Sequence, residues 1–198
     1  MIKRIVFDNG GVMVKVSSKY FLPYYARMLK IPLKKLEHVY WQLSTELDVG
    51  KESEKEFYRK LLKHVNRKYD YKKLLKVRYS LIKFLPGTLD IVKKLKKKYK
   101  LAMLNNEYKE CMNHLKKKYN YFSYFQPRIT SSEVGVRKPE AKIYKIMLKK
   151  LRIKPSECLF LDDLQLNVNA AKKIGIKTIH FKNAKQLRKE LNKFGIEV

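Results

Sequence analysis

Short apolar segments alternate with amphipathic helical segments over the second half of the chain, and this alternation limits the possible folds more than any other feature. The strand-like segments are 100–104, 128–130, 158–161 and 177–181, and the helical ones are 88–98, 109–118, 139–151, 167–174 and 187–194. Strands and helices that alternate over such a distance form parallel sheets with right-handed crossovers. A further apolar segment, 2–7, ends at Asp8. We therefore predict an α/β protein with a doubly wound parallel sheet.

A helical region interrupts this pattern between residues 17 and 85. Its clearest helix follows Ser53, whose side chain and that of Glu56, three residues later, can satisfy each other's backbone N–H groups in a capping box. Two earlier helices are expected at 18–29 and 34–47 from the spacing of their apolar residues. We therefore predict a core made of residues 1–16 and 86–198, with residues 17–85 as an inserted helical cap.

The chain is strongly basic, with 47 Lys+Arg against 18 Asp+Glu and a formal net charge of +29. Such a field attracts nucleic acid, anionic lipid and small phosphorylated molecules. Only 9 of the basic residues are Arg, the residue that binds phosphate and base edges bidentately, and the lysines lie mainly on helical faces. Contact with nucleic acid or another polyanion and a merely solvated lysine surface therefore both remain interpretations.

Length and hydropathy limit the class of protein. With 198 residues, 45% of them hydrophobic, the chain can form a core domain with a modest insertion. It contains no run of about 18 apolar residues, and its apolar start is too short for a signal peptide, so we expect no membrane span and a cytoplasmic location. The isolated Cys111 and Cys158 predict neither a disulfide framework nor a metal knuckle.

The segment Asp8-Asn9-Gly10-Gly11 has two interpretations. An Asn-Gly pair between two apolar runs is a typical β-hairpin turn and needs no active site. Alternatively, Asp8 lies at the carboxyl end of the first strand, where open α/β sheets bind ligands. The glycines would then let the backbone approach a phosphate or a metal closely. This segment alone does not distinguish the two.

Three later segments carry polar residues at similar positions. Asn105 and Asn106 follow the strand at 100–104, and taken alone they fit an ordinary polar turn better than a site. Lys138 comes just before a predicted helix, where a lysine is usually only solvated. Asp162 and Asp163 directly follow the apolar segment Cys158–Leu161. Adjacent carboxylates repel each other, and they suit a hard cation such as Mg²⁺.

The order and spacing of these residues resemble the four-motif series of the haloacid dehalogenase superfamily. RKPEAKIY followed by LFLDDLQLNVNAAKKIGIKTIHF is similar to its phosphatase-like members, and the insertion with GKESEKEF is similar to its small helical cap. The resemblance covers essentially the whole chain. It implies a Rossmann-like core with a cap, and a Mg²⁺-dependent hydrolase that acts on small phosphorylated metabolites such as sugar phosphates.

The resemblance also implies a role for each matching residue. Asp8 matches the nucleophile, which forms an aspartyl-phosphate. Asn105 matches the position that hydrogen-bonds the transferring group. Lys138 matches the lysine that offsets the charge of the nucleophile and the phosphate. Asp163 matches a direct Mg²⁺ ligand, and Asp162 an acid that holds a metal-bound water. The metal set also includes Asp8 and the carbonyl of Gly10, and the substrate-binding set includes Asn106 and Gly11.

Gly10 departs from the family pattern, because phosphatases of the superfamily usually carry a second Asp there as general acid and base. Losing such a group typically lowers the rate by about 10²–10⁴-fold. A good leaving group, a cap residue or water can replace it in a phosphatase. The alternatives are a catalytically reduced protein that binds nucleic acid or another polyanion, and a 2-haloacid dehalogenase. The last fits less well, because Gly10 and Val12 replace the Tyr and Thr of that branch.

The cap and the histidines offer weaker candidates. The aromatic residues Tyr20, Tyr24, Tyr25, Tyr40 and Trp41 could line a substrate pocket or simply fill a core. Arg27 is a candidate contact for a substrate anion. The four histidines have no spacing for zinc or for a catalytic triad, and no Walker loop or dinucleotide-binding glycine motif is present.

Overall fold

The computed structural model describes residues 1–16 and 18–198. Within them the strands are β1 (Arg4–Phe7), β2 (Val14–Lys15), β3 (Lys83–Phe84), β4 (Lys100–Asn105), β5 (Arg128–Thr130), β6 (Cys158–Asp162) and β7 (Lys177–His180). The helices are α1 (Ser18–Leu29), α2 (Leu33–Asp48), α3 (Glu54–His64), α4 (Tyr71–Leu81), α5 (Pro86–Lys98), α6 (Lys109–Lys118), α7 (Ser131–Val134), α8 (Ala141–Leu151), α9 (Gln165–Lys173) and α10 (Ala184–Lys193). Short 3₁₀ helices occupy Asn120–Tyr124 and Pro155–Glu157.

Five strands form a parallel sheet in the order β5-β4-β1-β6-β7. The first strand lies at its centre, where Arg4 is in register with Lys100 of β4 and Cys158 of β6. The strand order reverses on the two sides of β1, which is where ligands bind in sheets of this type. The predicted doubly wound parallel sheet is confirmed.

Alternate residues of each strand face opposite sides of the sheet, and helices cover both sides. On one side, apolar residues of the strands pack against helices α5, α6 and α10. The strand residues are Ile5, Phe7, Leu101 and Leu161, and the helix residues are Ile91, Leu95, Leu115, Leu187 and Leu191. On the other side, strand residues pack against helices α8 and α9. The strand residues are Val6, Ala102, Leu104 and Phe160, and the helix residues are Ile143, Tyr144, Met147 and Ala171. Burial on both faces explains why these strands are apolar throughout rather than alternating.

Helices α1–α4, here called the cap, lie between the short antiparallel strands β2 and β3. The capping box of α3 is present, since Ser53 accepts from Glu56 N and Glu56 accepts from Ser53 N. Sequence reasoning missed α4, although Asp70 caps it by accepting from Lys72 N. The proposed limits of the insertion stay a prediction, because residue 17 lies outside the described residues.

The hairpin interpretation of Asp8-Asn9-Gly10-Gly11 is wrong. Strand β1 pairs with β4 and β6 rather than with the strand that follows it, and Val14 of β2 pairs with Phe84. The glycines therefore connect β1 to a strand outside the main sheet. In the described part of the chain, no helix is long and apolar enough to cross a membrane.

Candidate active site

The carboxyl ends of the three central strands bring the polar residues together. Asp8 follows β1, Asn105 ends β4 and Asp162 ends β6. The N–H of Asp8 donates to Leu161 O at 2.9 Å, which extends the pairing of β1 with β6 as far as the site. Parallel strands with a common register deliver their last residues to one edge, so the predicted clustering is a direct result of the topology.

A tight turn follows Asp8. The carbonyl of Asn9 accepts from the N–H groups of Val12, Met13 and Val14 at 3.3, 2.8 and 3.1 Å. The side-chain oxygen of Asn9 accepts from the Tyr121 hydroxyl at 2.5 Å. These bonds fix the backbone directly after Asp8, and the Asn9 N–H itself donates to Asp8 Oδ1 at 2.7 Å.

Three carboxylates meet at this edge. Ligand oxygens of Asp8, Asp162 and Asp163 all lie within 4.8 Å of one another. Burial raises the pKa of Asp8 to about 8, Lys138 opposes this, and the charges of Asp162 and Asp163 add to it. Burial also raises the pKa of Asp163, with the Asp162 charge as the second cause. Three close carboxylates with one buried lysine form an oxygen-rich, electron-rich site that a hard cation would stabilise.

Lys138 is the counter-charge, and only 1% of it is exposed. Its Nζ lies 2.9 Å from Asp8 Oδ1 and 2.6 Å from Asp162 Oδ2, and it donates to Leu104 O at 3.0 Å. Burial alone would lower the pKa of Lys138, but Asp162 and Asp8 hold it above its ordinary value. The lysine therefore stays charged and couples Asp8 to β6.

Asn106 holds the backbone of Lys138. Its Nδ2 donates to Lys138 O and its Oδ1 accepts from Lys138 N, both at 2.8 Å. Asn106 was predicted to bind substrate, and it does line the cavity described below. Its side-chain amide is nevertheless already engaged on both sides, so the structure gives it a positioning contact that the sequence did not suggest.

The two adjacent acids differ in their surroundings. Asp162 is fully buried and accepts from Lys138, from Leu164 N at 2.9 Å and from Asn167 Nδ2 at 3.0 and 3.1 Å. Its predicted contact with a metal-bound water therefore competes with these donors. Asp163 is partly exposed, and its carboxylate lies against Gly11. Of the two, Asp163 is the better placed to ligate a cation.

A cavity of about 150 Å³ separates this edge from the cap. On the core side it is lined by Asp8, Asn9, Gly10, Asn105, Asn106, Glu107, Tyr108, Arg137, Lys138, Asp163, Leu164 and Asn167. On the cap side it is lined by Phe21, Tyr40, Trp41, Ser44, Asp48 and Arg78. Asn105 is buried with its Oδ1 unpaired within the described structure, while its Nδ2 faces Met112 Sδ at 3.8 Å. An unpaired buried acceptor at the cavity wall is available to a ligand.

Two predicted substrate contacts lie outside this cavity. Arg27 is exposed, because the buried face of α1 consists of Phe21, Leu22, Tyr25, Ala26 and Leu29, and Arg27 lies on the other face. The interpretation of Arg27 as an anion contact is therefore corrected. Gly11 does not line the cavity either, and its place is against Asp163. Of the cap aromatics, Tyr40 and Trp41 do line the cavity, whereas Tyr25 is core and Tyr24 is exposed.

Sequence reasoning missed a buried polar network that joins cap and core. Arg78 of α4 pairs with Glu107 after β4, with Nη2 and Oε1 3.3 Å apart, and it also contacts the Tyr108 hydroxyl. Tyr108 and Tyr79 donate to Glu54 of α3 at 2.6 and 2.8 Å. Burial raises the pKa of Glu107 to about 7, against the opposing effect of Arg78. Charged residues look like surface residues in a sequence, so only the helix signal at Asp70 could have pointed to this network.

Relatives of the chain include several phosphatases. It is 27% identical over 202 residues to D-ribitol-5-phosphate phosphatase of Bacteroides thetaiotaomicron. The aligned region covers 96% of this chain and 97% of that protein. It is 30% identical over 116 residues to glyceraldehyde 3-phosphate phosphatase of Pyrococcus furiosus, covering 58% and 48%. A 40% identical stretch of 70 residues matches bifunctional epoxide hydrolase 2 of Rattus norvegicus, but it spans 35% of this chain and 13% of the rat protein.

Solved structures share the fold. A HAD-like family hydrolase from Porphyromonas gingivalis has a TM-score of 0.82 at 22% identity and covers 100% of both chains. A HAD family enzyme of Bacteroides thetaiotaomicron, in complex with magnesium and inorganic phosphate, has a TM-score of 0.79 at 23% identity and covers 92% of this chain and 96% of that one. The family model described as haloacid dehalogenase-like hydrolase matches residues 13–181. The chain therefore belongs to the haloacid dehalogenase-like hydrolase family.

Proposed function

We propose that this protein is a Mg²⁺-dependent phosphatase of small phosphorylated metabolites, with Asp8 as its nucleophile. The observation that carries the proposal is the arrangement of Asp8, Asp162 and Asp163 around Lys138 at the carboxyl edge of the sheet. The phosphatase relatives and the structurally similar enzyme that holds magnesium and phosphate support it.

The residues present fit a magnesium ion. Mg²⁺ takes oxygen ligands, and it is usually bound by one or two carboxylates together with waters and substrate phosphate. Asp8, Asp163 and the carbonyl of Gly10 would hold it, with Asp162 behind them. When bound, the ion would neutralise charge on the phosphoryl group and on the carboxylates. Burial and the neighbouring charges of Asp162 and Asp163 raise the pKa of Asp8, so positive charge beside it would favour its ionised, nucleophilic form.

Asp8 is oriented by donors on one of its oxygens, since Asn9 N and Lys138 Nζ both contact Oδ1. An oxygen of Asp8 attacks phosphorus and the ester P–O bond breaks; the leaving oxygen takes the bonding electron pair and then a proton from water, which gives the alcohol. Water then attacks the aspartyl-phosphate, which releases inorganic phosphate and restores Asp8. Lys138 balances the charge of nucleophile and phosphate, and Asn105 contacts the transferring group through its side-chain amide.

Gly10 provides no acid for the leaving alcohol. The enzyme should therefore favour esters whose alcohol leaves readily, as aryl esters do. A Cβ at Gly10 would lie 3.1 Å from Val16 Cγ1, so an Asp there is tight but requires only a small shift of one side chain. The site is thus testable by adding the missing group as well as by removing one.

The experiment measures hydrolysis of an aryl phosphate and an alkyl phosphate, with Mg²⁺ or with a chelator, by wild type, Asp8→Asn and Gly10→Asp. We expect the wild type to need Mg²⁺ and Asp8→Asn to lose at least about 10³-fold in kcat. Gly10→Asp should gain more on the alkyl than on the aryl ester, because only the poorer leaving group needs protonation.

Absence of turnover by every version, despite a folded protein, would contradict the proposal. If salt-sensitive RNA binding accompanied that absence, the alternative of a reduced member that binds a polyanion would be favoured. Release of halide from a 2-haloacid would favour a dehalogenase instead. The cytoplasmic location stays a prediction.

A further inference from the structure

Two ion pairs between cap and core line the cavity opposite Asp8. Arg78 of α4 pairs with Glu107 at 3.3 Å, and Arg137 pairs with Asp48 of α2 at 3.0 Å. All four residues line the same cavity as Asp8. If the phosphoryl group of an ester lies at Asp8, its alcohol half would occupy the rest of this cavity, and the two ion pairs form part of the cavity wall. This wall therefore faces the part of the substrate that differs from one ester to another.

Arg78 is incompletely satisfied by the described residues of the protein. Only 4% of it is exposed. One terminal nitrogen contacts the Tyr108 hydroxyl, and the other reaches Glu107 Oε1 at 3.3 Å and Cys111 Sγ at 3.8 Å. Its Nε is buried with no hydrogen-bond partner in the described structure. Leaving a buried donor unpaired is destabilising, and well-packed apolar side chains often hold an interface as well as a buried ion pair does. Stability alone thus gives little reason for this pair.

The chemistry of the wall selects one kind of group. Because each arginine already faces a carboxylate, a second anion on the substrate would compete with Glu107 or Asp48. A hydroxyl group, in contrast, can donate to a carboxylate and accept from a guanidinium at the same time. The cavity, of about 150 Å³, suits a small alcohol half of a few carbon atoms. Trp41 adds an apolar surface against which the C–H groups of the alcohol half can pack.

We propose that Arg78 and Glu107 form a specificity site that binds a hydroxyl group on the alcohol half of a small phosphomonoester. Small hydroxylated esters are then preferred over equally long esters without hydroxyls and over esters with a second anionic group. The inference rests on the proposed phosphatase function. In the competing explanation, the pair only fastens the cap to the core.

The test compares kcat and KM for four esters: an aryl phosphate, propyl phosphate, glycerol 1-phosphate and 3-phosphoglycerate. Each is measured with Mg²⁺ on wild type, Glu107→Gln and a matched control, Tyr79→Phe. Tyr79 follows Arg78 in α4 and bonds Glu54 in the same network, but it does not line the cavity. Loss of the Tyr79 hydroxyl therefore disturbs Glu54, the cap residue that also bonds Tyr108 of the core, without touching the proposed site.

We expect the wild type to prefer glycerol 1-phosphate over propyl phosphate by at least about tenfold in kcat/KM. Glu107→Gln should reduce this preference about tenfold, mainly through KM, whereas Tyr79→Phe should keep it. An unchanged preference in Glu107→Gln, or a loss in both variants alike, would overturn the proposal.

If Glu107→Gln fails to fold, the ester preference of the wild type alone still tests the proposal. Turnover of the aryl ester without preference for glycerol 1-phosphate, or with preference for 3-phosphoglycerate, overturns the specificity site and leaves the phosphatase intact. Absence of turnover of all four esters overturns both proposals.

Discussion

Gly11 lies directly against the carboxylate of Asp163, so position 11 has no room for a larger residue. Gly11 has a φ of +75°, and a Cβ on it would overlap the carboxylate of Asp163. The glycine is therefore needed twice, once for its backbone conformation and once for the space that Asp163 occupies.

Gly11→Ala should lower both the stability and the Mg²⁺ affinity of the protein, because Asp163 must move. Gly135→Ala is the matched control, since Gly135 has a φ of +69° and a Cβ there meets nothing within 4 Å. Backbone strain alone should cost both variants about 1–2 kcal/mol. Only Gly11→Ala should also need at least about fivefold more Mg²⁺ for half-maximal activity. Equal Mg²⁺ dependence in both variants would contradict this account.

Glu107 makes stability depend on pH. Its pKa is about 7 in the folded protein against 4.5 in its ordinary state, so the folded protein binds the proton more tightly than the unfolded chain. The resulting stability is fully present below about pH 4.5 and is lost as pH rises through about 7. It amounts to at most about 3 kcal/mol.

Urea unfolding of wild type and Glu107→Gln between pH 4.5 and 8 measures this contribution. The difference in the free energy of unfolding between the two proteins should change mainly between about pH 4.5 and 7 and level off toward pH 8. A difference that is independent of pH would show that Glu107 has an ordinary pKa.

At the scale of elements, Asn106 ties the end of β4 to the loop before α8. It bonds both backbone groups of Lys138, and Lys138 in turn contacts β4 and β6 through Leu104 and Asp162. The position of the lysine thus depends on one amide side chain from a neighbouring element.

Asn106→Ala should lower kcat about 10–100-fold while the protein stays folded, because Lys138 loses its fixed backbone. Asn169→Ala serves as control, since Asn169 is exposed on α9 and bonds only to Gln165 among the described side chains. Steady-state kinetics and thermal unfolding of both variants provide the measurement. A kcat equal to that of the control would mean that the loop holds its shape without Asn106.

The sequence predicts those elements whose buried side chains are apolar. Strands β4 and β6 have continuous apolar runs, and the residues at and after their carboxyl ends carry much of the site. Helix α4 was missed because its buried residues are Leu74 and Arg78, so an arginine occupies a core position and weakens the apolar pattern. Glu107 was missed for the same reason. A charge that is buried through a tertiary partner leaves no local signal.

At the scale of the whole molecule, the charge is the dominant feature. The net charge of +29 lies mostly on exposed lysines of helical faces, such as Lys93 and Lys97 of α5. Like charges four residues apart on a helix repel each other. Folding brings these positive charges closer together than in the unfolded chain, so their repulsion destabilises the folded state. Salt screens this repulsion.

Raising NaCl from about 20 mM to about 500 mM should therefore increase Tm by several degrees. A Lys93→Gln, Lys97→Gln double variant should gain less from salt than the wild type, as measured by thermal unfolding at several salt concentrations. A Tm that does not respond to salt would indicate that the lysines are too well solvated to matter.

The central position of β1 has a consequence for synthesis on the ribosome. Both neighbours of this strand come much later in the chain, with Arg4 opposite Lys100 and Cys158. Asp8 therefore emerges before both neighbouring strands, and its surroundings are complete only when β6 has left the exit tunnel. Nascent chains that stop before β6 lack Asp162 and Asp163 and hold Asp8 on an edge strand. The group of three carboxylates is thus completed in one late step, when the last part of the polypeptide packs beside its first strand.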